Sequence, residues 1–179
     1  MPGLIDNHVH VLLSTTSPTE LLDPKMTPAM LQERATAEAE RTLLRGFTAV
    51  RDMGGPMLAS RPSIDKGELP GPRIYPSGAM VSQTSGHGDS RHPHERSRRF
   101  FGEVSRGEQL GANSIADGRD EVLTAVRENL RMGASQIKLM AGGGTSSAYD
   151  PVDVTQYTFD EMRAAVEAAE DWGTYVPVH

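Results

Sequence analysis

Short β-branched or aromatic runs alternate with segments of helical periodicity along most of this chain, and that alternation limits the fold more than any other feature. Thr27-Pro28 opens a helix, because threonine is a good N-cap and proline is favoured at the first helical position. Leu31, Ala35, Ala39, Thr42 and Leu43 then recur at helical spacing, and Gly46 is placed to end the element. A second helix is expected from an Asp117 cap through Val122, Val126 and Leu130 to Met132. A third follows Thr158, with Glu161 three residues on as its capping-box partner, and runs to Gly173. Between them, residues 2–10, 47–51, 73–77, 136–141 and 174–179 read as strands. Pro76 would cost the third strand a ladder hydrogen bond unless it lies at an end or a bulge. Residues 14–25 read as a loop. Residues 82–116 read as a polar connection of unusual length, either a functional lid or disordered. Five strands separated by helices predict a parallel α/β protein, and the residues alone leave a barrel and an open doubly wound sheet equally open.

The 179 residues suffice for one domain, with 37% hydrophobic content. A formal charge of −6 argues against a nucleic-acid surface, which needs a concentrated basic patch. With no cysteine, any metal must be held by nitrogen and oxygen. No apolar run approaches the 18 or more residues of a membrane span, and no signal-peptide pattern opens the chain, so a cytoplasmic protein without membrane contact is expected.

On a strand, Asp6, His8 and His10 share one face and Ile5, Asn7 and Val9 the other. The two histidine Cα atoms would then lie roughly 6.6 Å apart, within reach of one metal ion. An isolated His-x-His is more often solvated or part of a core. Lys138 falls inside the 136–141 strand, where the ordinary fate of a lysine is to snorkel its ammonium to water. Gly142-Gly143-Gly144 follows that strand and admits two readings. It could cradle a phosphate, although it lacks the lysine and spacing of a Walker A motif, or it lets backbone pass close to a site. His87, between Gly86 and Gly88, has freedom to swing over a site. Arg91, His92, His94, Arg96, Arg98 and Arg99 form a basic run, read as a solvated loop face or as a seat for a substrate carboxylate.

Pro2-Gly3-Leu4-Ile5-Asp6-Asn7-His8-Val9-His10 resembles the first barrel strand of the amidohydrolase superfamily of metal-dependent hydrolases. The likeness extends through the stretches 45–55, 82–89, 137–144 and 176–179, and is strongest to imidazolonepropionase-like and Xaa-Pro dipeptidase-like members. It implies a (β/α)8 TIM-like barrel of which about five parallel strands are present, so that residues 1–179 would be an incomplete metal-dependent catalytic domain. It also implies that His8, His10, Lys138 and His179 hold two divalent metal ions, zinc being the expected metal, with Lys138 carrying a carbamate that bridges them. His87 would belong to the substrate pocket.

The implied reaction is hydrolysis of an amide bond in a small molecule by metal-activated water. Dipeptides or N-acyl amino acids are the favoured substrates, and cyclic amides such as imidazolones the alternative. The family's proton-transfer aspartate would lie beyond residue 179, so no catalytic base is assigned and the chain alone is expected to be inactive. Unpaired strand edges would favour homo-oligomers. Two other readings stand beside this one: a non-catalytic fragment or binding module with part of a metal site, and a phosphate-binding α/β module resting on the glycine turn.

Overall fold

The computed structural model describes residues 2–147 and 149–179. Strands β1 (Leu4–Val9), β2 (Phe47–Asp52) and β3 (Arg73–Pro76) form a parallel sheet in that order. Between β1 and β2 come a single turn, α1 (Pro18–Leu21), and the long helix α2 (Pro28–Leu44). The single turn lies in the stretch read as a loop. It forms because the Ser17 hydroxyl accepts from Glu20 N at 3.2 Å while the Glu20 carboxylate caps Ser17 N at 2.9 Å. Helix α2 begins as its sequence implies, with the Thr27 hydroxyl accepting from Met30 N at 3.2 Å. Its Leu31, Ala35 and Ala39 bury against Val50 of β2 and Ile74 of β3. A short helix, α3 (Arg61–Asp65), precedes β3, and Pro76 ends that strand.

Beyond Pro76 the chain bends and resumes as β4 (Met80–Ser82), which pairs with β5 (Asn113–Ile115) rather than with β2. The bend sits at Gly78, whose φ of +73° suits glycine, and a Cβ there would lie 2.5 Å from Asn129 Oδ1. Asn129 belongs to α5 (Arg119–Arg131) and is buried. Its Oδ1 accepts from Ala79 N at 3.0 Å, and its Nδ2 donates to Ala79 O at 2.9 Å. One carboxamide thus satisfies the two backbone groups that the broken ladder leaves without strand partners. Asn129→Ala should therefore destabilise the protein by about 2–4 kcal/mol despite alanine's better helix propensity, measured by urea unfolding. A loss under about 0.5 kcal/mol, the size of an ordinary surface change, would show that water serves Ala79 equally well.

Two of the five expected strands are not regular strands. Residues 136–141 and 174–179 run extended and parallel but are joined by isolated bridges, Val81 to Leu139 and Leu139 to Val178. Their bonds include Val81 N to Lys138 O and Met140 N to Val81 O, both 2.9 Å, and His179 N to Leu139 O at 3.0 Å. Ile137 N donates to Tyr175 O, but the return donor would be the nitrogen of Pro177, which carries no hydrogen. The ladder therefore stays discontinuous.

Residues 82–116 are not a structureless connection. They contain the end of β4, a 3-10 turn (Arg98–Phe100), helix α4 (Arg106–Gln109) and β5. Asp117 does not cap α5: residue 118 takes that place, and the Asp117 carboxylate accepts from Thr84 N at 2.9 Å instead. Helix α6 (Phe159–Glu170) begins where expected, the Glu161 carboxylate accepting from Thr158 N at 2.8 Å. Its Ala165 and Ala169 share a core with Val122 and Val126 of α5 beneath Val81 and Leu139. The result is a mixed α/β fold with parallel strands. Among the described residues, no helix is long and apolar enough to cross a membrane.

Candidate active site

Strand β1 delivers His8, and His10 follows directly after its end, their ring centroids 5.5 Å apart. Asp6, expected on the same face, turns its carboxylate back to accept from His8 N at 2.9 Å. Lys138 does not snorkel. It is 0% exposed, and its Nζ meets no hydrogen-bond partner. Burial, with a smaller contribution from Arg51, pushes its amine down from 10.5 to about 8. Arg51 is held near this group by donating to Asn7 O at 2.6 Å and lies over the Tyr175 ring at 5.8 Å.

The positive field of Lys138 reaches three imidazoles. His10 is pushed down to about 4, first by burial and then by His8, Lys138 and His179. His8 is lowered by burial, then by Lys138 and Arg51; His179 is lowered by burial, then by His87 and Lys138. The structure thus gathers His8, His10, Lys138 and His179 into one electrostatic cluster, although most of the chain separates the first two from the last. His10 Nδ1 is also buried without a hydrogen-bond partner; the Gly54 backbone nearby opposes its shift only weakly and falls short of hydrogen-bond geometry.

His87 joins the cluster by stacking on His179, with centroids 4.0 Å apart and planes 17° apart. Its Nδ1 lies 2.8 Å from Ser147 Oγ and 3.1 Å from Asp150 Oδ2, and its backbone N–H donates to Gln156 Oε1 at 2.9 Å. The ring needs the glycine beside it, since a Cβ on Gly144 would stand 2.1 Å from the His87 ring. The amides of Gly143 and Gly144 are already committed, to Val154 O at 3.1 Å and to Asp150 Oδ2 at 3.0 Å. That removes two of the donors a phosphate cradle would use, and leaves close backbone approach as the role of the turn.

Arg91 departs from the solvated basic face. It is buried against Asp89, its Nε donating to Asp89 Oδ1 at 2.8 Å, while its backbone oxygen accepts from Tyr149 Oη at 2.8 Å. Arg98 and Arg99 remain half-exposed and pair with Glu108 and Glu121. His10, His87 and His179 line one cavity of about 460 Å³, together with the apolar Leu13, Leu22 and Met80. That volume suits a small-molecule ligand. A depression bordered by Arg98 and Arg99, of about 20 Å³, has room for little more than one water. Sequence reading missed Asp150 and Gln156, which hold His87 from more than sixty positions away and carry no motif.

Asp52, at the end of β2, is 0% exposed, and burial lifts its carboxyl from 3.8 to about 7 although Val11 N donates to it at 2.9 Å. A carboxyl raised in the fold costs nothing below its unfolded pKa of 3.8, and the cost grows as pH rises through 7. Asp52→Asn keeps an acceptor for Val11 N and cannot ionise. Relative to wild type, it should gain up to roughly 4 kcal/mol between pH 4 and pH 8 in urea unfolding of metal-free protein. A difference between variant and wild type that does not change with pH would refute this.

The donors here are nitrogen and oxygen only, and two of them, His10 Nδ1 and Lys138 Nζ, are buried without partners. Among the described residues, no three His, Asp or Glu side chains stand close enough to hold an ion by themselves. The unpartnered nitrogens beside His8 and His179 are of the donor type that a divalent ion takes.

Parallel strands with a polar cluster gathered towards their carboxyl ends define an α/β protein built like many enzymes of that class. Residues 1–179 match the Amidohydrolase family throughout, and the chain belongs to that family. It is 35% identical over 195 residues to ochratoxinase of Aspergillus niger, an alignment covering 100% of this chain and 38% of that protein. A solved prolidase complexed with N-methylphosphonate-L-proline is similar with a TM-score of 0.90 at 40% identity, covering 100% of this chain and 43% of the other. A Xaa-Pro dipeptidase with methionine bound in its active site gives a TM-score of 0.80 at 33% identity, covering 99% and 43%. The chain thus spans between 38% and 43% of the length of these relatives. Amidohydrolase family members generally bind divalent metals.

Proposed function

We propose that residues 1–179 are part of the catalytic domain of a metal-dependent amidohydrolase that cleaves an amide bond in a small molecule, with dipeptides and N-acyl amino acids as favoured substrates. The observation that carries this reading is Lys138, a fully buried amine with no partner, placed among three imidazoles held below their ordinary pKa values. His8, His10, Lys138 and His179 would hold two divalent ions, zinc first among them. Bound there, the ions would supply a nucleophile at neutral pH by lowering the pKa of water and would polarise the scissile carbonyl.

The chain's own residues prepare for this. Burial lowers the Lys138 amine, so the neutral form that can react is far more abundant than for a lysine in water. Its lone pair bonds to the carbon of carbon dioxide, one N–H proton leaves to solvent, and the carbamate anion offers two oxygens. Neutral His10 keeps the lone pair of one ring nitrogen available at working pH. His87 borders the cavity, and the Leu13, Leu22 and Met80 wall favours a substrate with an apolar side chain. The strands β1 to β3, with the parallel runs through Val81, Leu139 and Val178, would form an arc of a (β/α)8 barrel.

The test is metal analysis of the longest natural form of the protein, since residues 1–179 alone are expected to be inactive, followed by assays on dipeptides and N-acyl amino acids before and after chelation. Metal near two ions per chain, with turnover abolished by chelator and restored by zinc, is expected. A protein that neither carries nor takes up metal overturns the reading. Metal without turnover on any amide would favour a binding module.

A further inference from the structure

We propose that Asp150 is a positioning residue that fixes His87 as the tautomer with its proton on Nδ1, leaving Nε2 as a hydrogen-bond acceptor at the cavity. The Asp150 side chain is 0% exposed, and its Oδ2 collects three donors: Gly144 N at 3.0 Å, His87 Nδ1 at 3.1 Å and Gln156 Nε2 at 3.2 Å. An ionised carboxylate only accepts. If Nδ1 carried no hydrogen, its lone pair would face a carboxylate oxygen at 3.1 Å in a buried setting, where that repulsion is least screened. The proton must therefore sit on Nδ1, and the hydrogen bond made at one ring nitrogen sets the state of the other.

Burial by itself would raise the Asp150 carboxyl, but hydrogen bonds from Ser147 and His87 hold it below its usual value, so it stays ionised. Ser147 Oγ, 2.8 Å from Nδ1, then shares the Nδ1 proton as an acceptor and can turn its own proton to Asp150. Several contacts prevent the ring from rotating away. His87 is stacked on His179, confined by Gly144, and tied through its backbone to Gln156, which itself donates to Asp150. Nε2 is left on the other edge of the ring, beside Ser146 Oγ at 3.5 Å, and both residues line the cavity.

An acceptor there selects a ligand group with an N–H to give. For an amide substrate this is the amide N–H or the α-ammonium of a dipeptide. That consequence rests on the proposed hydrolase; the tautomer does not.

The test is two-dimensional proton–nitrogen NMR of the imidazoles in the isolated protein, at a pH well above the ordinary imidazole pKa, with His87 assigned through His87→Gln. The wild type should show the proton on Nδ1. Asp150→Ala should move it largely to Nε2, the preferred tautomer of a free imidazole, whereas Ser147→Ala should leave it on Nδ1. A wild-type proton on Nε2 overturns the proposal, as does an unchanged tautomer in Asp150→Ala or a switched one in Ser147→Ala. Should Asp150→Ala fail to fold, the wild type and Ser147→Ala decide the question. In the longest natural form of the protein, Asp150→Ala should lower kcat/KM on amide substrates by about 10–100-fold, the usual cost of losing a partner that orients a functional histidine. If no amide is turned over by any form, the hydrolase reading fails while the NMR result stands on its own.

Discussion

Lys138→Ala should leave the longest natural form of the protein without bound metal and without turnover. The loss should exceed the roughly 10–100-fold typical of residues that merely orient a ligand. Three imidazoles survive the substitution, yet among the described residues no group of three His, Asp or Glu side chains is close enough to hold an ion unaided. In the proposed site a carbamate on Lys138 would supply the missing oxygens, and the Lys138 backbone is held beside Val81 by the bonds Val81 N to Lys138 O and Met140 N to Val81 O. Removing the lysine side chain beyond Cβ also opens a buried space where it stood, and a short carboxylic acid added to the solution should enter it and restore part of the metal. Metal content by elemental analysis, read alongside kcat, decides the matter. Wild-type metal occupancy in the alanine variant would end the assignment of Lys138.

In the metal-free protein the opposite sign is expected for Lys138→Met, a swap of similar length that deletes the charge. The folded amine titrates at about 8 and the unfolded one at 10.5. Above 10.5 both forms are neutral and burial costs no protonation energy. As pH falls from 10.5 to 8 the unfolded chain takes up its proton first, so stability falls, and below 8 the deficit is complete at roughly 3 kcal/mol. Lys138→Met should recover up to that amount at pH 7 and lose the dependence between pH 8 and 10.5, while binding no metal. Urea unfolding of chelated wild type and variant at pH 7 and pH 10 measures both effects. Equal stabilities at pH 7 would mean that the free amine is better solvated than its 0% exposure implies. A gain in stability with loss of metal is the pattern of a site kept for chemistry at the expense of the fold.

Local rules made much of this chain legible. Threonine caps with proline or glutamate at the right offset marked the starts of α2 and α6, because a cap is decided within four residues. The period-two pattern placed β1 and the β-branched run placed β2, because strand formation is decided over a few residues. His8 and His10 stood out as a pair from their spacing, while Lys138, His179 and His87 became candidates through the family resemblance.

What sequence alone left open is decided by contacts between distant residues. Whether Lys138 reaches water or is sealed in depends on the segments around Val81 and Val178 that flank it, and the same side chain is unremarkable in one case and reactive in the other. The strand that begins as β3 breaks at Gly78 because a carboxamide fifty residues away takes over the hydrogen bonds of Ala79. Arg91 pairs locally with Asp89, but its burial comes from the fold around it, and Asp150 meets His87 across 63 positions. A buried charge or a free donor is a property of everything packed around it. The one-dimensional pattern therefore determined which groups are available and where each element begins, and tertiary packing determined which of them are desolvated, paired or left without a partner.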